Sequence, residues 1–337
     1  MRRLFNSSLA FWSGFNILFL LLLGLAQYVV GERTSPTTLL LYLPQHGFGI
    51  LTLVLILTSL RKRNRQMLAL NGMAGLAFLF FFLGVQVPVG AASPRGRTVR
   101  VMTWNIEKFR GSAPQVAALI RAQKPDIVCM QETLKRHGQP DDTPDLLALF
   151  PGWEFRRAGE VTTFSRFPLL ESRNYKMPMP HQRKLLATTW ATPYGPLCVM
   201  NAHIATTAAG QPPLRNYGLV SRVIEVVRFA QGTAVKRASQ LPIIDHALSE
   251  SQAPVVLAGD FNNPPRGRFY RHLSSQLRDA FAEAGWGLGQ SFPTRFPLLR
   301  IDYIWLGNGL RASRCFNPAT RASDHLPVVA DVVYGPK

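Results

Sequence analysis

Three apolar runs occupy most of the first 90 residues, and they limit what this chain can fold into more than any other feature. They cover about Leu9–Val30, Thr38–Leu60 and Met67–Val89, each near the ~20 residues that a helix needs to cross the hydrocarbon of a bilayer. Lipid offers no partner to a backbone N–H or C=O, so runs of this kind become helices. A signal peptide would also open on Met1-Arg2-Arg3, but the apolar stretch that follows is too long and two more come after it. The second run is interrupted by Pro44, Gln45, His46 and Gly47, so it either kinks or re-enters, and His46 reads as a helix-break or interfacial residue rather than an intramembrane group. Arg2-Arg3 and the Arg61-Lys62-Arg63-Asn64-Arg65 loop belong on the cytoplasmic side by the positive-inside rule. Three crossings then put everything after Val89 outside the cytoplasm, as an integral protein of the plasma (inner) membrane with an extracytoplasmic domain. A re-entrant second segment reverses the side. The expected organisation is a membrane domain over 1–90 with spans at 9–30, 38–60 and 67–89, a linker at 91–98, and a globular domain over 99–337.

Charge is distributed unevenly. The part before Ser93 holds seven Lys/Arg and one acid, which leaves 31 basic and 18 acidic residues, a net of +13, for the remainder. Such a surface favours anionic partners: phosphate esters, nucleic acid or lipid headgroups. The three cysteines form no CxxC or Cys/His spacing, which argues against a zinc site or a disulfide framework. Cys129 and Cys198 read as core residues, and Cys315 as a loop residue.

Chemistry concentrates where predicted strands stop. In Val255–Pro265 (VVLAGDFNNPP) an apolar run closes on Gly259 and presents Asp260 and Asn262, with Phe261 turned inward between them. A tight turn with an Asx hydrogen bond would read the same way if it stood alone. It does not stand alone. A strand over Val99–Asn105 ends on Asn105 with Glu107 just beyond, one over Ile127–Gln131 ends on Glu132, and Leu197–Ile204 ends on Asn201-Ala202-His203. Further strands are predicted at Val161–Ser165 and Leu186–Thr192, and helices at 113–123, 146–150, 219–229, 242–250 and 269–285, with Gly232–Ser239 too polar for core. Asp302 lies near the start of Ile301–Leu306, and Ser323-Asp324-His325 precedes Leu326–Val333.

This has a geometric consequence. Groups at strand ends and groups at strand starts share one rim only if the last two strands run antiparallel to the others, so mixed sheets flanked by helices are expected, an α+β sandwich. Glu132, Asp260 and Asp324, with amides and two imidazoles, make an oxygen-rich site suited to Mg²⁺ or Mn²⁺.

The motifs TWNIE, QE, NAH, GDFN, IDYI and SDHLPV, in this order across nearly all of Val99–Val333, resemble those of the endonuclease/exonuclease/phosphatase superfamily with its DNase I-like fold. The resemblance implies a four-layer sandwich with mixed sheets and a metal-dependent phosphoester hydrolase. Glu132 and Asp324 would serve the metal, with Asn105 and Glu107 close by. Asp260 would orient or deprotonate the attacking water, and Asn262 would hold the phosphoryl group. His325, oriented by Asp302, would stabilise the pentacovalent transition state, and His203 would contact phosphate and assist the leaving group. His203 stands where the family's abasic-site repair enzymes carry tyrosine, whereas its DNase, sphingomyelinase and inositol-phosphatase branches carry His. DNA repair is therefore disfavoured. Arg166–Pro168 within FSRFPL also matches the family's pattern.

The leading expectation is a membrane-anchored, nuclease-type phosphodiesterase; the alternative is a phospholipid, sphingolipid or inositol phosphate hydrolase. A reading of another class is an inactive membrane scaffold that binds an anionic partner, but a binder has no need of Asp302 paired with His325. Arg110, Arg183, Lys184, Arg266 and Arg268 fall near motif ends, where they either track a phosphate backbone or form a solvated surface. No protein partner is implied.

Overall fold

Where the N-terminal apolar runs were expected to be helical they are, in a computed structural model that describes residues 2–93, 98–134, 141–178, 183–206, 219–307 and 309–335. The centre of the expected linker, 94–97, and residues 135–140 lie outside those residues. The chain divides into two compact units, Met1–Val85 with Arg266–Arg268, and Gln86–Pro265 with Phe269–Lys337.

The first unit contains α1 (Arg2–Gly24), α2 (Ser35–Tyr42), α3 (Ile50–Arg61) and α4 (Arg65–Ala77). The helical stretches Ser8–Arg33 and Arg65–Leu83 are each long and apolar enough to cross a membrane, while Ser35–Tyr42 and Gln45–Arg61 are bent by 90° at their break and make a third only if counted as one. The break falls where Pro44 removes a donor and forces Leu43 into extended backbone. Polar side chains join the helices: Asn71 Nδ2 donates to the Ser13 and Ser59 hydroxyls at 3.0 and 3.2 Å, and Thr52 Oγ1 donates to Asn16 Oδ1 at 3.1 Å.

The second unit holds two six-stranded sheets face to face. Its elements are β1 (Thr98–Asn105), α5 (Ala113–Gln123), β2 (Ile127–Gln131), α6 (Thr143–Ala148), β3 (Glu154–Ala158), β4 (Val161–Ser165), β5 (Leu169–Lys176), β6 (Lys184–Thr192) and β7 (Gly195–His203). They continue with α7 (Leu219–Glu250), β8 (Val255–Asp260), α8 (Gly267–Ser274), β9 (Arg278–Asp279), α9 (Ala280–Ala284), β10 (Asp302–Leu306), β11 (Leu310–Phe316) and β12 (Val328–Tyr334). One sheet has the order β11-β12-β1-β2-β4-β3 and the other β5-β6-β7-β8-β10-β9. Alternation sorts the side chains: Val99, Val101 and Cys129 enter the layer between the sheets, while Met102, Trp104, Val128 and Met130 pack with Val116 and Ile120 of α5. On the other sheet, Met200, Leu257 and Trp305 pack with Ile244 of α7 and Leu273 of α8. The result is the α+β sandwich of the DNase I-like fold. Pairing of β1 with β2 and of β7 with β8 is parallel, whereas β12 on β1 and β10 on β8 are antiparallel, as a shared rim requires.

Local expectations fail where polar residues are buried for a reason. The segment 232–239 is not a loop: α7 runs unbroken from Leu219 to Glu250. Thr233, Arg237 and Gln240 are buried there. Arg237 Nη1 donates to the Ala205 and Asn262 carbonyls at 3.1 and 2.8 Å, and Gln240 Oε1 accepts the Ala205 N–H at 2.9 Å. The expected helix at 269–285 is α8 and α9 with β9 between them, and Cys315 lies buried in β11 opposite Ala330.

Gly259 has a backbone φ of +151°, and a Cβ placed on it would lie 1.8 Å from the Ala202 carbonyl oxygen of β7. Only glycine lets β8 come this close to β7 at the end that carries Asp260. Gly259→Ala is expected to cost about 2–4 kcal/mol through clash and backbone strain, lowering the thermal midpoint by roughly 5–15 °C. A midpoint unchanged by calorimetry would contradict this account.

Candidate active site

Strand register lines up the first three groups. Parallel pairing of β7 with β8 sets His203 opposite Asp260, and antiparallel pairing of β10 with β8 sets Asp302 opposite Asp260 from the other side. All three are buried. From the facing sheet, Asn105 at the end of β1 donates Nδ2 to Asp260 Oδ2 at 3.0 Å and reaches Glu132 Oε1 at 3.4 Å. Asn105 Oδ1 accepts the Glu107 N–H at 3.0 Å, and Asp260 Oδ1 accepts the Asn262 N–H at 2.9 Å. The chain turns sharply past each strand end, with Glu107, Glu132 and Asn262 at φ of 46°, 53° and 49°. Left-handed backbone is unfavourable for such residues, and clusters of it mark sites that need special geometry.

Two imidazoles flank Asp260. His325 places Nδ1 2.9 Å from Asp302 Oδ2, which also accepts the Ser291 hydroxyl at 2.6 Å. Because that carboxylate can only accept, Nδ1 carries the proton, and Nε2 stands 3.9 Å from Asp260 Oδ2. His203 also has a carboxylate behind it: Nδ1 lies 2.9 Å from Glu160 Oε1 and Nε2 lies 3.5 Å from Asp260 Oδ2. Burial alone would lower the His325 imidazole, but Asp302 and then Asp260 raise it to about 10. Burial alone would raise the Glu160 carboxyl, yet His203, and Arg183 with its Nε 3.1 Å away, hold it down at about 2. Both imidazoles are thus backed by a carboxylate and aimed at one oxygen, and His325 is held cationic by the acids around it.

Beside them lies an acidic corner. Glu107 Oε2 accepts the Asp324 N–H at 3.1 Å, and Asp324 Oδ1 is 4.0 Å from His325 Nε2. Burial, and then the adjacent Glu107 and Glu132 carboxylates against the opposing pull of His325, push the Asp324 carboxyl up to about 6. Glu107, Glu132 and Asp324 keep about a fifth to a third of their side chains exposed, so their oxygens are open to a cation whose charge would relieve the crowding. Ligand atoms of Asp260, Asp302 and His325 also come within 4.8 Å of one another. Their hydrogen bonds to Asn105, Asn262 and Ser291 already engage them, and they form a relay better than a cage.

The rim therefore brings together Asn105, Glu107, Glu132, His203, Asp260, Asn262, Asp302, Asp324 and His325. The Endonuclease/Exonuclease/phosphatase family model matches residues 102–325, from β1 through His325. The chain belongs to the endonuclease/exonuclease/phosphatase family. The Escherichia coli K12 protein YbhP is 24% identical over 250 residues, 69% of this chain and 95% of its own. An endonuclease/exonuclease/phosphatase family protein from Bacteroides thetaiotaomicron superposes with a TM-score of 0.56 at 16% identity, covering 72% of this chain and all of that one. A mannosyl-6-phosphatase from the same organism gives 0.50 at 17% identity, covering 70% of this chain and again all of the other. These likenesses establish the fold common to the family.

Some residues of the family pattern do not reach the site. Arg166 follows β4, which runs antiparallel to β2, and pairs with Asp126 at the opposite rim. Asn201 turns between the sheets, accepting from Gln131 Nε2 at 2.7 Å and donating to the Met130 and Thr162 carbonyls, both at 3.1 Å. Arg183 is not a surface cation but the buried partner of Glu160. Two contributors were missed. Glu160 sits in the turn between β3 and β4, where Gly159-Glu160 looks like an ordinary hairpin tip, and Ser291 precedes Asp302 by 11 residues with no motif around it.

Proposed function

We propose that this chain is a metal-dependent phosphodiesterase of the nuclease type, held at a membrane by its N-terminal helices. The observation that carries the reading is the convergence of two carboxylate-backed imidazoles on Asp260, with Nε2 at 3.5 and 3.9 Å from one oxygen. Asp260 accepts the proton of the attacking water. The amide of Asn262 has one N–H engaged by the Ile204 carbonyl at 3.2 Å and the other free to meet a phosphoryl oxygen. His325, kept cationic by Asp302, stabilises the charge that builds on phosphorus. His203, backed by Glu160, is the acid for the departing oxygen, a group that a diester needs more than an activated ester does. Glu107, Glu132 and Asp324, with Asn105 Oδ1, are the residues that would hold Mg²⁺ or Mn²⁺. When bound, the ion supplies Lewis-acid polarisation and neutralises phosphate charge. A net of +13 outside the membrane segments supports a polyanionic substrate.

The test uses the full chain in detergent with Mg²⁺, offered supercoiled DNA, RNA, sphingomyelin vesicles and bis(p-nitrophenyl) phosphate in parallel. Cleavage of nucleic acid and of the small diester is expected, abolished by EDTA and restored by excess Mg²⁺. Undiminished turnover in EDTA would remove the metal from the reading, and hydrolysis of sphingomyelin alone would replace nuclease by lipid hydrolase.

A further inference from the structure

A groove of about 1090 Å³ opens beside Asp324. One wall is the hairpin at 291–299, closed by the Ser291 and Phe292 N–H groups on the Leu299 carbonyl, and the other is the segment at 319–324. Pro293, Pro297 and Leu326 give it an apolar floor, and Arg295 and Arg321 stand exposed on its rim. Arg110, the third arginine there, is committed to Glu107 at 2.9 Å. Among the described residues, Arg295 and Arg321 have no carboxylate partner.

An exposed arginine without a partner is ordinarily a solvated surface group. These two are held in register with the reacting centre. The Thr294 N–H donates to the Asp324 carbonyl at 2.7 Å, and the Leu326 N–H donates to the Ser291 carbonyl at 2.7 Å. The Phe292 ring lies against His325 with centroids 4.8 Å apart. Whatever occupies the groove is thereby presented at a set offset from Asp324 and His325. The volume exceeds what one phosphate fills and is that of a small-molecule site. An open floor of prolines and leucine edged by guanidinium planes suits a flat base, on which arginine also stacks. An acyl chain would need an enclosed apolar channel instead.

Resting on the phosphodiesterase reading above, we propose that this groove receives the nucleoside adjoining the scissile phosphate, and that Arg295 and Arg321 bind a second phosphate which that nucleoside carries. The guanidinium fork matches a phosphate in two-point fashion, so substrates with two phosphates would be selected over those with one.

Thymidine 5′-(p-nitrophenyl phosphate) and its 3′-phosphorylated form share scissile bond, leaving group and base, and differ by one phosphate. With the full chain in detergent and Mg²⁺, kcat/KM for the 3′-phosphorylated form is expected to be higher by about tenfold or more. The double variant Arg295→Ala, Arg321→Ala should bring the ratio near one while hydrolysing the 3′-hydroxyl form at the wild-type rate, which also shows that it is folded. Arg295→Lys with Arg321→Lys should keep part of the preference, since charge remains and the fork is lost. No preference in the wild type, or a preference that survives the alanine variant, would overturn the proposal. So would faster hydrolysis of p-nitrophenylphosphocholine than of either nucleotide, which assigns the groove to a lipid headgroup. A wild type that hydrolyses none of these, nor bis(p-nitrophenyl) phosphate, refutes the phosphodiesterase reading itself.

Discussion

Replacing Asp260 by asparagine is expected to lower kcat by about 10³-fold or more while leaving the chain folded. The carboxylate is buried, and each oxygen has a defined donor: Asn105 Nδ2 on one, the Asn262 N–H on the other. Asparagine fills the same volume and can keep one of those bonds, but its amide cannot take a proton from water at neutral pH. It also removes the negative charge on which the two imidazoles converge. The fold should survive the change at a cost of about 1–3 kcal/mol, because one buried donor loses its acceptor while the repulsion between Asp260 and Asp302 is relieved. Turnover within tenfold of wild type, measured on any diester the native chain cleaves, would exclude Asp260 as the base.

Asp302→Asn should be nearly as severe, because Asp302 acts only through His325. An imidazole deprived of its orienting carboxylate loses tautomer and charge together, a loss of roughly 10³–10⁴ in kcat where an orienting carboxylate has been removed elsewhere. His325→Ala should fall in the same range. The double variant is the informative one: residues that act as a unit are non-additive, so its kcat should match the worse single variant rather than the product of the two. Additive losses would mean that Asp302 and His325 work separately, contrary to the 2.9 Å contact between them.

Much of the site was legible because its residues stand at the ends of buried strands. Where an apolar run such as VVLAG or IVCMQ stops, the next polar side chains fall at the sheet rim with few other places to go, and four such stops with two matching strand starts in one chain are hard to reconcile with chance turns. The opposite sense of the last two strands followed from asking that these groups meet. What escaped was held by tertiary contact alone. Glu160 owes its place to His203 and Arg183, which are distant in sequence. β3 and β5 were missed because they are mostly exposed, with charged residues on both faces and no alternation to read. The polar middle of α7 imitated a loop because its arginine and glutamine serve carbonyl and N–H groups of the segments after β7 and β8.

The order of strands also bears on when the site comes into being. The chain lays down β1 to β4 of one sheet, builds the whole of the other from β5 to β10, and only then returns with β11 and β12 to flank β1. Asp324 and His325 arrive with that returning segment, so while the chain is being synthesised the rim holds Asn105, His203 and Asp260 with no imidazolium beside Asp302. A site built from segments in this order is complete only once the segment ahead of β12 has joined the sheet of β1.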